Sequence, residues 1–446
     1  MEHTVPQLTF DFYRDLPVVT TFDAPETSSD GGLLLLRSVD DCIGLSRWFA
    51  QCVPDKRNKK FVQHHRIEQV RQRVYQIALG YEDCNDATSL RADPLFKTVC
   101  ERAPDDEQGL SSQPTLSRLE NAVDMRAVCT LLLAFERTYV ESLPADTTLV
   151  ILDIDSTDDE THGHQQLSFF HGYYDHYMYH HLLVFDGEGR LVTVLLRPGN
   201  THASRGAAPL VARVIRAIKT RFPQAQIVVR GDSGFCVPRF IETIEALDRE
   251  LGEVYYIFGC AKNPVLLRLA QPLIKLAEES YKVQHHKVRL FGDFEYAAET
   301  WPHTRHVIAK AEHSDKGANP RFVVTSIDGF EARDLYDAAY CARGQCENNI
   351  KDLKNALRSD RLSCETFVAN FFRLLLHAAA YRLMYSIRER AACARPELAR
   401  TQFDTLRLRL LKVAAHVTRS VRRILVRLPL AFSWANVFAR VALSTA

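Results

Sequence analysis

Tyr340, Arg343, Glu347, Lys351 and Lys354 are the residues of this chain whose types and spacing best support chemistry. At about 100° per residue, a helix through Tyr340-Cys-Ala-Arg-Gly-Gln-Cys-Glu-Asn-Asn-Ile-Lys-Asp-Leu-Lys354 would bring Arg343, Glu347, Lys351 and Lys354 all within about 60° of Tyr340. The stretch lacks proline, and its stripe is polar where a core helix would be apolar. A carboxylate flanked by an arginine, an aromatic hydroxyl and lysines suits a metal held beside a phosphodiester. A solvated helix face with an ordinary Glu347–Lys351 ion pair explains the same residues taken alone.

Two upstream acids weigh against that plainer account. Leu149-Val-Ile-Leu-Asp153-Ile-Asp155-Ser-Thr157 is an apolar run ending in acids, and Gln226-Ile-Val-Val-Arg-Gly-Asp232-Ser-Gly-Phe235 repeats the plan. Both read as buried, parallel-type strands followed at once by a turn. Ligands in such sheets gather at the carboxyl ends of strands, where Asp155 and Asp232 lie.

These three pieces, in this order, resemble the DDE transposases of bacterial insertion sequences. The branch in question has a third motif that reads Y-x2-R-x3-E-x6-K, which Tyr340, Arg343, Glu347 and Lys354 match at every position. The strings LDIDST, RGDSGF, SSDGGLLLLR and RQRVYQIALGYEDCND are similar to the 1380 group of that YREK branch, so the resemblance runs from about Ser28 to about Arg388. It implies DNA cleavage at terminal inverted repeats and strand transfer by two-metal phosphoryl transfer, with Asp155, Asp232 and Glu347 as metal ligands for Mg²⁺, or Mn²⁺ in its place. It further implies that Arg343 and Tyr340 grip phosphate, that Lys354 holds terminal nucleotides, and that a homodimer synapses two DNA ends. Asp153 and Asp155 point to one face of a strand, so either could be the first ligand. The family pattern of a small residue and threonine after the acid selects Asp155. Asp158, Asp159 and Glu160 are expected in a solvated loop. A catalytically silent DNA-binding descendant and a host nuclease of the same fold are the alternatives.

The elements needed to position these residues can be traced along the chain. His176–Phe185 and Leu191–Leu196 alternate as an antiparallel pair joined through Asp186-Gly-Glu-Gly189. A helix over Arg205–Phe222 leads to the strand ending at Asp232, followed by a helix near Val237–Leu247 and a strand at Val254–Phe258. This order gives the fold class as α/β, a ribonuclease-H-like catalytic core. The 115 residues from Asp232 to Glu347 exceed any simple connection and require an inserted subdomain, β-rich by pattern over about 260–330. The predicted domains are a helical DNA-binding region over 1–146, the catalytic domain over 147–358 and a helical C-terminal region over 359–446.

Net charge is only +1 over 446 residues, so the basic character that nucleic acid would require is local. One cluster holds Lys56, Arg57, Lys59, Lys60, Arg66, Arg71 and Arg73; another runs from Arg407 to Arg427, on a helix that Pro429 would end. The alternative for the second cluster is a solvated face whose side-chain stems cover apolar surface. Ser111–Asn121 opens a helix whose hydroxyl-rich first turn would let Arg118 and its neighbours meet DNA, or would simply cap a core helix. The 11 cysteines show no zinc spacing and the amino end no signal segment, so a reduced, cytoplasmic chain is expected. The apolar stretch Phe367–Tyr385 is interrupted by Asn370, Arg373, His377 and Arg382, which reads as a packed helix and not a membrane span.

Overall fold

Residues 7–12, 14, 16–24 and 26–445 are described by the computed structural model. They fall into two units: one gathers residues up to Gln51, Asp55–Leu119 and Leu383 onward, the other Cys52–Pro54 and Glu120–Arg382.

The first unit begins with the short strands β1 (Leu8–Phe10) and β2 (Val18–Thr20), which pair with each other, and β3 (Thr27–Ser28). Gly31 and Gly32 then lead into a helix over Leu33–Ile43. A Cβ on Gly32 would stand 2.3 Å from the Leu411 Cα, so only glycine allows the two backbones to cross there. The helix Arg66–Leu79 is buried from Glu68 onward. It carries Arg71 and Arg73 inward, Arg71 to Glu101 at 3.0 Å and Arg73 to the Glu82 carbonyl at 2.6 Å. The first basic cluster is therefore not one surface: Lys56, Lys59 and Lys60 are exposed, while Arg57 pairs with Asp55 at 2.6 Å.

The second unit is built on one large mixed sheet, the chain's main α/β architecture. Its strands are β4 (Leu149–Glu160), β5 (Phe169–His171), β6 (His176–Asp186), β7 (Leu191–Pro198), β8 (Gln226–Gly231) and β9 (Val254–Cys260), then β10 (Val288–Tyr296), β11 (Arg305–Ser314), β12 (Gly317–Ala318) and β13 (Arg321–Thr325). The order is β10-β11-β13-β9-β8-β4-β6-β5, with β7 also on β6 and β12 on β11. β4 and β8 are parallel, as are β8 and β9; β6 and β7 run antiparallel. Val150, Leu152 and Ile154 alternate onto one face of β4. There they join a core with Val211, Ile215 and Ile218 of the helix Ala207–Arg221 and Ile241 and Ile244 of the helix Pro238–Leu251. Asp153 and Asp155 necessarily take the other face. On that side Tyr381, from the long helix Phe367–Ala394, packs its ring 5.6 Å from that of Phe185 and donates its hydroxyl to the Gly189 carbonyl.

Three expectations change here. The segment after Cys260 does not build a separate β subdomain: β13 pairs with β9 and extends the same sheet, with the helices Pro264–Leu269 and Gln271–Gln284 alongside. Asp158 and Asp159 are not in a solvated loop, because β4 runs on through Glu160 and buries Asp159 completely, opposite Tyr179 of β6. The C-terminal region is not wholly helical. β14 (Ala415–Arg419) and β15 (Ile424–Arg427) form a hairpin that pairs with β3, since Ala-His-Val-Thr-Arg and Ile-Leu-Val-Arg are β-branched, alternating runs. Arg407 and Lys412 turn inward to the Ala78 carbonyl and to Asp30, while Arg422, Arg423 and Arg427 stay exposed. Among the described residues no helix is long and apolar enough to cross a membrane.

Candidate active site

Asp155 and Asp232 come together because β4 and β8 are adjacent parallel strands in register, Asp153 against Arg230 and Ile154 against Gly231. Asp155 is nearly buried, accepts a hydrogen bond from its neighbour Ser156 N–H at 2.8 Å and receives the Arg343 guanidinium at 2.8 Å. Burial pushes its carboxyl up to about 6; Arg343 pulls against this and the charge of Asp232 adds to it. Asp232 caps the tight turn Ser233–Phe235 by accepting from the Gly234 N–H at 2.9 Å.

Arg343 and Tyr340 arrive on a helical segment that is not a regular α-helix. A π-helical turn over Leu335–Tyr340 and a 3₁₀ turn over Cys341–Arg343 precede the α-helical Gly344–Lys351, and a second π-helical turn covers Asp352–Ala356. Such turns break the 100° spacing that placed five residues on one stripe. Tyr340 and Arg343 face the aspartates, and Lys354 reaches Asp158 at 2.6 Å and the Thr157 hydroxyl at 3.3 Å. Glu347 and Lys351 are exposed, on the helix beyond. Burial pushes the Tyr340 hydroxyl up, with Arg343 opposing and Asp232 reinforcing. It packs so close to β9 that a Cβ on Gly259 would lie 2.6 Å from the Tyr340 Oη and 3.1 Å from the Ser233 N.

Asp153 has a different role from Asp155. Arg230 grips it from the next strand with two bonds of 2.6 and 2.7 Å and spends its remaining nitrogen on the Ala339 carbonyl at 2.8 Å. Both side chains are buried. The pair ties β4, β8 and the π-helical turn before Tyr340 into one frame, so Asp153 is occupied where Asp155 still faces the site.

Sequence reasoning missed several neighbours. Asp158 bonds Lys354 and lies 3.3 Å from His176, and Asp159 lies 3.3 Å from the buried His181. Tyr174, at the tip between β5 and β6, has its hydroxyl pushed up to about 12 by burial and by the charges of Asp158, Asp155 and Asp232. The period-2 pattern of β4 prolonged through Glu160 could have found the first group. No signal in the string His171-Gly-Tyr-Tyr-Asp-His176 identifies the second. Arg118 is exposed on the helix Gln113–Asn121, whose Leu116 and Leu119 are buried.

The donors on offer for a metal are carboxylate oxygens, which fit a hard divalent cation. The mutual repulsion of Asp155 and Asp232 is what such a cation would relieve. Glu347 stands apart from that pair, and among the described residues no three His, Cys, Asp or Glu side chains converge as a ready-made set.

The model of the family described as transposase DDE domain group 1 matches residues 10–445, and the chain belongs to that family. Among solved structures, a cryo-EM structure of a piggyBac transposase synaptic complex with hairpin DNA is similar, with 12% identity, 85% of this chain and 80% of that chain covered and a TM-score of 0.41. No curated protein matches. By family, then, the chain is a DDE transposase, an enzyme acting on DNA, in a class that generally uses divalent metal ions.

Proposed function

We propose that the chain is the transposase of a bacterial insertion sequence, of the YREK branch and its 1380 group. It would cut DNA at the terminal inverted repeats and join the freed ends to target DNA. The observation that carries this reading is the Asp155–Arg343 contact beside Asp232, just past Ile154–Gly231, the last parallel pair of β4 and β8. The order β7-β6-β4-β8-β9, with only β6 reversed, supports a ribonuclease-H-like core. Residues of the mostly helical region 1–146, the loop residue Lys56 with Lys59 and Lys60 among them, would hold the DNA ends, the catalytic domain would cover 147–358, and a homodimer in the cytoplasm would pair two ends.

Asp155, Asp232 and Glu347 would hold two divalent cations, Mg²⁺ or Mn²⁺, which when bound supply activation of a water or 3′-hydroxyl and stabilisation of the leaving oxygen. Arg343 supplies a fixed positive charge. A phosphate oxygen arriving at the site competes with Asp155 for that guanidinium, by charge-assisted hydrogen bonds of the stronger kind. Tyr340, kept protonated by its surroundings, donates its hydroxyl to a phosphate oxygen. Lys354, steadied by Asp158, and the exposed Lys351 neutralise the backbone further along and carry affinity without sequence information.

The test is Mg²⁺-dependent cleavage of a plasmid bearing the gene's own flanking termini. Wild type should cut at the termini, and Glu347→Gln should bind them equally well and not cut. Equal cutting by Glu347→Gln, or no cutting by wild type, would overturn the assignment.

A further inference from the structure

The hairpin of β5 and β6 carries more exposed aromatic surface than a strand edge needs. Phe170 and Tyr177 are cross-strand partners with ring centroids 5.8 Å apart, and they are 48% and 60% exposed. At the tip Tyr173 is 86% exposed and stands edge-on to Tyr174 at 5.1 Å. The turn that holds them is firm: the N–H groups of Tyr174 and Asp175 both donate to the His171 carbonyl, and Asp175 adopts φ 60°. Apolar rings presented rigidly to water in one patch indicate a partner, and ring faces lose little conformational entropy on contact.

Its neighbours identify that partner. Tyr174 packs on His180 at 5.9 Å, and His180 lies opposite Asp158 in the β4–β6 register. His176, at the base of the tip, reaches Asp158, which in turn holds Lys354. Asp158 is three residues along β4 from Asp155, about 10 Å. The aromatic tip thus stands one short step from the carboxylates, and the cations Lys354 and Arg343 meet the same strand at Asp158 and Asp155. Cations that track a phosphate backbone beside exposed ring faces are the arrangement that binds single-stranded nucleic acid.

We propose that Tyr173, backed by Phe170 and Tyr177, is a stacking platform for unpaired nucleobases of the DNA strand whose backbone lies at Asp155 and Asp232. The inference rests on the transposase reading and deepens it: a strand opened near the cut would be held by its bases on the hairpin while its phosphates lie at Arg343. Base stacking is tolerant of sequence, so the platform needs no particular terminal repeat.

Binding of a 12-nucleotide single strand carrying one 2-aminopurine, and of the matching duplex, tests this in EDTA, where no cutting occurs. Tyr173→Ala should weaken single-strand binding about 5- to 150-fold and lose the fluorescence quenching that stacking causes. Duplex affinity should stay within about twofold of wild type, and Tyr173→Phe should behave as wild type. Single-strand affinity unchanged in Tyr173→Ala, or an equal loss on both DNAs, overturns the platform. A fall from dimer to monomer with DNA binding intact overturns it too and makes the tip a contact between copies. If wild type cuts its termini and Tyr173→Ala shows no single-strand defect, only this inference fails; if wild type binds neither DNA, the reading beneath it fails as well.

Discussion

Asp153 and Asp155 are two residues apart on one strand face, and their neutralisation should have unlike consequences. Asp153→Asn leaves the buried Arg230 with an uncompensated charge, since the two bonds of 2.6 and 2.7 Å lose their ionic partner. Breaking a buried pair from one side costs about 3–5 kcal/mol, or roughly 6–20 °C of melting temperature at about 2–4 °C per kcal/mol for a unit of this size. Asp155 is the opposite case. Its carboxyl, moved from 3.8 up to about 6, is one whose neutral form the fold prefers. The stability it contributes is present in acid and lost as pH rises through 6, a difference of about 3 kcal/mol. Asp155→Asn fixes the neutral form, and the difference of about 3 kcal/mol is already net of the Arg343 bond. Metal-free at pH 8, it should be no less stable than wild type while losing DNA cleavage. Urea unfolding of both variants decides the matter. Equal destabilisation by the two, or an Asp153→Asn protein as stable as wild type, would refute the division into a structural and a site carboxylate.

Two further outcomes follow from the same region. His180 is buried, donates its Nδ1–H to the Thr201 carbonyl at 2.7 Å, and is pushed down to about 3 by burial and by Arg197. Because its folded value is depressed, the stability it confers is present above 6.5 and lost as pH falls, about 2 kcal/mol between pH 7 and pH 5. His180→Gln should flatten that part of a urea-unfolding pH series, and an unchanged slope would contradict it. Gly259→Ala should cost about 1–3 kcal/mol by driving its methyl against Tyr340 and the turn after Asp232. Adding Tyr340→Phe removes the oxygen at 2.6 Å and should recover part of that loss; a double variant no more stable than the single would place the clash on the turn.

The strands bearing Asp155 and Asp232 were legible because the mostly buried parallel-paired stretches Leu149–Ile154 and Gln226–Gly231 leave apolar, β-branched runs, and Asp155 and Asp232 follow directly after them. The helix carrying Arg343 was legible in kind but not in shape. Nothing in Leu335–Tyr340 announces a π-helical turn, and the Ala339 carbonyl within it meets Arg230, on a strand about 110 residues earlier. Arg230 itself lay in plain view two residues before Asp232. Its importance depends on register with Asp153, and register is a tertiary fact. Basic residues misled for a similar reason: Arg71 and Arg73 look like surface charge, yet they are buried and engaged by the Glu101 carboxylate and the Glu82 carbonyl. The C-terminal hairpin was read as helix because β-branched and helix-forming residues alternate there, and pairing with Thr27 and Ser28 decided the outcome.

The pairing of β13 with β9 has a consequence for chain closure. Thr325 is fixed opposite Ile257, and Phe322 opposite Cys260. The point from which the chain departs toward Arg343 is therefore set by four register pairs next to the strand bearing Asp232, whatever lies between Cys260 and Arg321. The entropy of closing that excursion grows only with the logarithm of its length. The turn from Ser314 to Gly317, at the outer end of the sheet, can accordingly lengthen or accept a new module while the distance between Arg343 and Asp155 stays where it is.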